Sequence, residues 1–261
     1  MYDIVIVGAG VVGCAIAREL SKYDLKICLL EKEDDVSTGA SKANSGIVHG
    51  GYAAKYGTLK GKLCVKGNAM FEKLNQELNF GYRNTGALVI GFDENDEKTI
   101  KGLYENGLKI GCDDLEIIGA DRIREIEPYI NEEVKVALYA KSVGVASPYE
   151  MTIALAENAI KNGVKLKLDS AVTGITKEGD HFKVKTENEE IESRYIINAA
   201  GLYSDMIANM VGIYDFEIHP RRGQYILFGK DQRYLVNTVY SRFLQKKERV
   251  FLLPPPIMVT L

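Results

Sequence analysis

Three stretches of this chain have residue types and spacings that can do chemistry. Gly8-Ala9-Gly10-Val11-Val12-Gly13 sets three glycines at G-x-G-x-x-G spacing, and Glu31 follows 23 residues after the first of them. At the start of a helix such a turn presents unpaired N–H groups and a positive dipole end, which suit a diphosphate. An acidic side chain at that distance suits ribose hydroxyls and disfavours a 2′-phosphate. The second stretch, Asn44-Ser45-Gly46-Ile47-Val48-His49-Gly50-Gly51, sets a histidine beside glycines that let a cofactor come close. The third, His219-Pro220-Arg221-Arg222, carries two guanidiniums able to grip a carboxylate or phosphate in a bidentate fork.

The elements that must position these groups follow from apolar patterning. Ile4-Val5-Ile6-Val7 is a β-branched run of the kind buried on both faces of a parallel sheet, and Cys14 to Lys22 has helical spacing. A second run, Ile27-Cys28-Leu29-Leu30, ends in Glu31, which completes a βαβ unit around the glycines. Ser37 to Gly51 reads as a long functional loop, with Tyr52 to Thr58 irregular. Leu59 to Leu78 predicts one amphipathic helix with Leu63, Met70, Phe71, Leu74 and Leu78 on a shared face. Then come a strand over 87–90, helices over 93–111 and 121–127, a strand over 134–139 and a helix over 148–162 ended by Gly163. Val164 to Leu168 alternates as a half-exposed strand, 172–176 and 181–185 read as a β-meander, and Arg194 to Asn198 as a buried strand running into Ala199-Ala200-Gly201.

The chain has 261 residues, 46% apolar and 26% charged, which suits a globular fold and excludes disordered classes. A net charge of −3 supplies no electrostatic drive toward nucleic acid. No apolar run reaches the roughly 18 residues of a membrane span, and no secretory signal follows Met1, so the expected location is the cytoplasm. Cys14, Cys28, Cys64 and Cys112 lack metal-ligand spacing, so buried thiols are expected and no metal. Of three histidines, His181 follows a polar Glu178-Gly179-Asp180 turn and reads as a solvated hairpin residue. His219 reads equally as a boundary residue or a substrate contact, which leaves His49 as the preferred base. Tyr149 and Lys60 are weaker candidates.

A nicotinamide enzyme continues with further short parallel units, whereas this chain inserts the Ser/Gly/Asn loop and a long helix, which favours flavin. The opening glycines, Asn44 to Gly51, and Asn198-Ala199-Ala200-Gly201-Leu202-Tyr203-Ser204-Asp205 together resemble the FAD-dependent D-amino-acid oxidase superfamily. Within it the resemblance is to the branch of glycerol-3-phosphate and L-2-hydroxyglutarate dehydrogenases, from Met1 to about Val239. It implies an α/β fold: an FAD-binding, Rossmann-like domain of glutathione-reductase type over 1–80 and 145–215. An incomplete α+β substrate domain over 81–144 and 216–240 would be interleaved with it. Gly8, Gly10, Gly13 and Glu31 would hold the ADP half of FAD, with Ser41, Asn44 and Ser45 along the pyrophosphate and flavin. Val172 would meet adenine through its backbone, Ala200-Gly201 would close the second approach, and Gly50-Gly51 would pass the isoalloxazine.

The implied reaction is hydride transfer to flavin from a small anionic hydroxy compound, with His49 as base and Arg221 or Arg222 as anion clamp. Glycerol 3-phosphate is preferred on family branch, 2-hydroxyglutarate is the alternative, and an FAD-binding fragment without turnover is the second alternative. A quinone or redox-partner protein is the implied electron acceptor, with peripheral membrane contact its corollary.

After Val239 the pattern departs from the family. Residues 241–261 are first charged, then apolar around Pro254-Pro255-Pro256, an aberrant tail. With permitted codons for Arg242 to Leu261 read two bases later, the tail spells FPAKKGKGILVTPTYHGNL, which resembles the family's next segment. A frameshifted gene is therefore expected, and with it a truncated chain of weak FAD retention and poor solubility. Sequencing across the codons for Val239 to Phe243 checks it; an uninterrupted frame discards it.

Overall fold

A computed structural model describes residues 1–224, 229–243 and 249–252. In chain order, β1 (Tyr2–Val7), α1 (Val11–Leu20) and β2 (Ile27–Leu30) form the opening βαβ unit. There follow β3 (Ile47–Val48), α2 (Leu59–Asn68), α3 (Phe71–Leu78), β4 (Arg83–Asn84), β5 (Ala87–Gly91), α4 (Glu94–Ile110) and β6 (Leu115–Gly119). Next are α5 (Ala120–Ile126), β7 (Val136–Ala140), β8 (Gly144–Val145), α6 (Pro148–Lys161) and β9 (Lys165–Lys167). The chain continues with β10 (Val172–Glu178), β11 (His181–Thr186), β12 (Glu190–Asn198), α7 (Ser204–Asn209), β13 (Val239–Phe243) and β14 (Arg249–Leu252).

Contacts divide the chain into two units, residues 1–44 with 148–225, and 45–147 with 226–261. In the first, the sheet runs β10-β11-β12-β1-β2-β9. Here β1 pairs in parallel with β2 and β12, while β10, β11 and the start of β12 form the antiparallel meander. Central β2 and the Ile4–Val7 part of β1 are apolar because both faces are covered; Val5, Ile6, Cys28 and Leu29 have no exposure. Every strand order here delivers the carboxyl ends of β1, β2 and β12 to one edge, where the glycine turn, Glu31 and Ala199-Ala200-Gly201 emerge.

The second unit has a sheet of order β14-β13-β5-β7-β6 and a small sheet of order β3-β8-β4. Its core gathers Val89, Ile100, Leu115, Leu138 and Val239. The stretch 45–80 belongs here: Asn68 Nδ2 donates to Ser142 O at 2.9 Å, and β3 pairs with β8.

Two expectations need correction. Leu59 to Leu78 is not one helix but α2 and α3, broken at Ala69-Met70 where Met70 N–H bonds back to Gly67 O at 3.0 Å. Gly61, Gly67 and Asn68 weaken the helix, and Asn68 spends its amide on Ser142. Leu63 and Met70 consequently lie half-exposed rather than on a buried face. The strand ending at Asn198 is also not buried throughout, since Tyr195 is 67% exposed.

Candidate functional site

The chemistry-bearing edge of the first unit is built on Gly8. Its φ of +103° is open only to glycine, and a Cβ there would stand 2.6 Å from the Ala199 carbonyl oxygen. Gly13 is stricter still: its Cβ would stand 1.9 Å from Gly8 O, so α1 can sit on the turn only because residue 13 has no side chain. Gly10 is the N-cap of α1 and offers no capping side chain. The cap comes instead from the loop, where Ser41 Oγ accepts the Val11 N–H at 2.9 Å.

Glu31, at the end of β2, ties the turn to the strand. Its Oε2 accepts Ala9 N–H at 2.8 Å, and its Oε1 accepts Lys32 N–H at 2.9 Å and Glu33 N–H at 3.2 Å. The Ala9 carbonyl is held too, by Ser37 N–H at 3.2 Å and by the Cys14 thiol at 3.3 Å. Burial, and next the charge of Glu31, push that thiol up to about 12, so it stays neutral. Asn44 Nδ2 donates to Ala40 O and Ser41 O at 3.1 and 3.0 Å and thereby shapes the loop. On the third strand, Ala200 N–H donates to Asn198 Oδ1 at 3.2 Å, and Gly201 turns the chain at φ +57° with open space at its Cβ position. Val172 begins β10 beside a register shift. Lys32 Nζ stands 5.1 Å from the Tyr203 ring centroid, a contact between residues 171 positions apart that no local pattern signals.

These groups fit a dinucleotide. The backbone cradle would be filled by any Cβ at Gly8 or Gly13, a hydroxyl sits at the helix start, and an acid ends the next strand.

The second unit holds Ser45, His49, Gly50 and Gly51. His49 Nδ1 accepts Gly51 N–H at 3.1 Å, so the neutral ring carries its proton on Nε2; Tyr52 lies against it at 4.9 Å between centroids. Gly51 has φ +100°, with a Cβ position 2.9 Å from Val65. Gly50 is buried, its carbonyl accepting the Cys112 thiol at 3.2 Å.

His219 is 79% exposed, 3.7 Å from Glu217, and His181 lies 3.4 Å from Asp180. Arg221 and Arg222 are exposed and form no ion pair among the described residues. The run Gln224-Tyr225-Ile226-Leu227-Phe228 just after these arginines has the apolar and aromatic content of a strand, and from Tyr225 on it falls outside the described residues. Tyr149 lies in the first turn of α6 and Lys60 is exposed on α2. Asp205, the last residue of the Asn198–Asp205 stretch, has a structural role: its carboxylate accepts Ile218 N–H at 3.0 Å and Met206 N–H at 2.9 Å. Those bonds, Ile218's first, hold it below the usual carboxylate range and anchor the segment leading to Arg221. Its place after the Ser204 helix start was the available signal. Among the described residues no cluster could hold a metal, and no helix is long and apolar enough to cross a membrane.

A family model described as FAD dependent oxidoreductase matches residues 3–256. The chain is 46% identical over 257 residues to a glycerol 3-phosphate dehydrogenase of Caloramator mitchellensis, covering 98% of this chain and 54% of that protein. It is 32% identical over 250 residues to the mitochondrial L-2-hydroxyglutarate dehydrogenase of Homo sapiens, covering 90% and 54%. Among solved structures, the dithionite-reduced L-α-glycerophosphate oxidase of Mycoplasma pneumoniae with FAD bound superposes with a TM-score of 0.80 at 27% identity, over 92% of this chain and 65% of that one. The chain spans about half the length of the curated relatives it matches.

Proposed function

From the chain's membership of the FAD dependent oxidoreductase family, to which it belongs by a match over residues 3–256, we propose that it oxidises a small anionic hydroxy compound, glycerol 3-phosphate by preference. The observation carrying the reading is the turn itself: Gly8 and Gly13, where a Cβ would meet backbone, an acid at the end of β2 and a serine hydroxyl at the start of α1. The substrate preference is supported by the 46% identity to the Caloramator mitchellensis protein. A second reading, oxidation of L-2-hydroxyglutarate, is supported by relatives that match 90% of the chain.

Bound FAD supplies a two-electron acceptor for hydride from a carbon bearing a hydroxyl. The backbone of Gly8, Gly10 and Gly13 with the Ser41 hydroxyl would bind the pyrophosphate, and Asn44, Ser45, Val172, Ala200 and Gly201 would line the cofactor. Glu31 already accepts three N–H bonds, so of roughly four lone-pair sites about one remains for a ribose hydroxyl. His49, between Val48 and Gly50-Gly51, would meet the substrate hydroxyl. Taking a proton at Nδ1 requires the Gly51 bond to open, so that bond sets the ring's readiness as a base. Arg221 or Arg222 would clamp the anion, and a quinone or redox-partner protein would take the electrons.

An absorption spectrum of the purified protein, followed by dye reduction with each substrate, tests the reading. Flavin bands with reduction by glycerol 3-phosphate are expected. Reduction by L-2-hydroxyglutarate alone selects the second reading, bound flavin without turnover leaves a binding fragment, and a colourless protein that takes up no FAD overturns all three.

A further inference from the structure

We propose that the Ser37 hydroxyl is a binding group for the adenylate half of the dinucleotide, an inference that rests on the FAD reading above. Ser37 is 3% exposed, yet its Oγ has no hydrogen-bond partner. Buried hydroxyls are rarely left so, because desolvation goes uncompensated. The residue is also one of three non-glycines in the described chain with positive φ, at +64°. Serine gains nothing from that conformation, and glycine would adopt it without strain. Two local costs therefore meet in one residue, and a retained hydroxyl is what they have in common.

Its position says what the hydroxyl serves. Ser37 N–H is bonded to the carbonyl of Ala9, and the N–H of the same Ala9 is bonded to Glu31. Four residues later Ser41 Oγ takes the Val11 N–H at the helix start. Ser37 thus lies along the loop between the acid suited to the adenosine ribose and the hydroxyl beside the diphosphate amides. A hydroxyl turned outward there would donate to the ribose or its 5′-phosphate, both of which ADP and FAD share. Among the described residues the other buried hydroxyl without a partner, that of Ser147, has no left-handed backbone.

The test is calorimetric titration of the flavin-stripped chain with ADP and with FAD, for the wild type, Ser37→Ala and Ser37→Gly. Both variants should bind ADP and FAD roughly tenfold more weakly, the scale of one lost hydrogen bond to a charged or polar ligand. Without nucleotide, Ser37→Ala should melt no lower than the wild type, since its hydroxyl bonds nothing, and Ser37→Gly should melt higher as the strained φ is relieved. Unchanged ADP affinity in both variants overturns the proposal and points to a trapped water. A nucleotide-free Ser37→Ala that melts well below the wild type overturns it too, since the hydroxyl then has a partner within the fold. A wild type that binds neither ADP nor FAD sinks the cofactor reading itself, which the first two outcomes leave standing.

Discussion

A methyl group at position 13 has no place to go, because the nearest atom, Gly8 O, is backbone and lies 1.9 Å from where the Cβ would be. Gly13→Ala must therefore push α1 off the turn, at about 1–3 kcal/mol or more, read as a lowered urea midpoint together with lost ADP binding. Gly10→Ala meets only the Ser41 hydroxyl at 3.0 Å. It should cost about 1 kcal/mol by displacing the Val11 cap, and titration should show a larger effect on nucleotide affinity than the urea midpoint shows on stability. Equal losses in the two variants would contradict this ordering. The glycines were legible in the sequence because their roles depend on spacing along one turn. Ser37 was not, because its left-handed φ, the burial of its hydroxyl and its contact with Ala9 exist only in the folded chain. For the same reason Asp205 could be quoted in a motif while its hold on Ile218, thirteen residues on, stayed invisible.

Elements with strong internal patterning were read within a residue or two. Asp93 caps α4 through Asn95 and Asp96 N–H, and Gly111 ends it at φ +101°, so both boundaries follow from local chemistry. The strand β6 was missed because Glu116 and Ile117 face solvent on an edge and no alternation betrays it. The two-residue β3, β4 and β8 exist only as each other's partners. Tertiary bonds of this kind also fix β13. Glu127, 1% exposed at the end of α5, accepts Asn237 N–H at 2.9 Å, the Thr238 N–H, and the Thr238 hydroxyl at 2.6 Å. Glu127→Ala would strip the two buried Thr238 donors of their acceptor at about 1–3 kcal/mol each, while the exposed Asn237 N–H can turn to water. Amide exchange should then accelerate in β13 first, with Glu127→Gln intermediate because it keeps one accepting oxygen. Asp205 does comparable work for the approach to Arg221. Since its folded pKa is lowered, the stabilisation is present above the ordinary carboxylate range and is lost as pH falls through the folded value. The Ile218 protection factor, which corrects for the intrinsic slowing of exchange in acid, should fall on acidification, and Asp205→Ala should remove that pH dependence; an unaltered dependence would show that Asp205 does not hold the segment.

At the scale of the molecule, the two units have separate cores but share one alkaline liability. In the first unit, burial pushes Cys28 up to about 11 and Cys14 up to about 12; in the second, burial, and then Asp114 and Asp113, push Cys112 up to about 11. A neutral thiol is thus favoured in the fold and disfavoured in the unfolded chain above its ordinary value of 9.0. The sign follows: stability is unaffected below that value and falls as pH rises from it through the folded values, because the unfolded chain sheds protons that the folded one keeps. By pH ~11 Cys14 alone should cost on the order of 2 kcal/mol. Urea midpoints measured from pH ~8 upward should be flat and then decline. Cys14→Ala should begin lower, since it leaves a small cavity beside the turn, yet decline less steeply because one of the raised thiols is gone. A Cys14→Ala slope equal to that of the wild type would mean that the thiol behind the glycine turn ionises as freely in the fold as outside it. The tight closure of that turn around Ala9, on which both the nucleotide cradle and the role of Ser37 depend, would then be too loose.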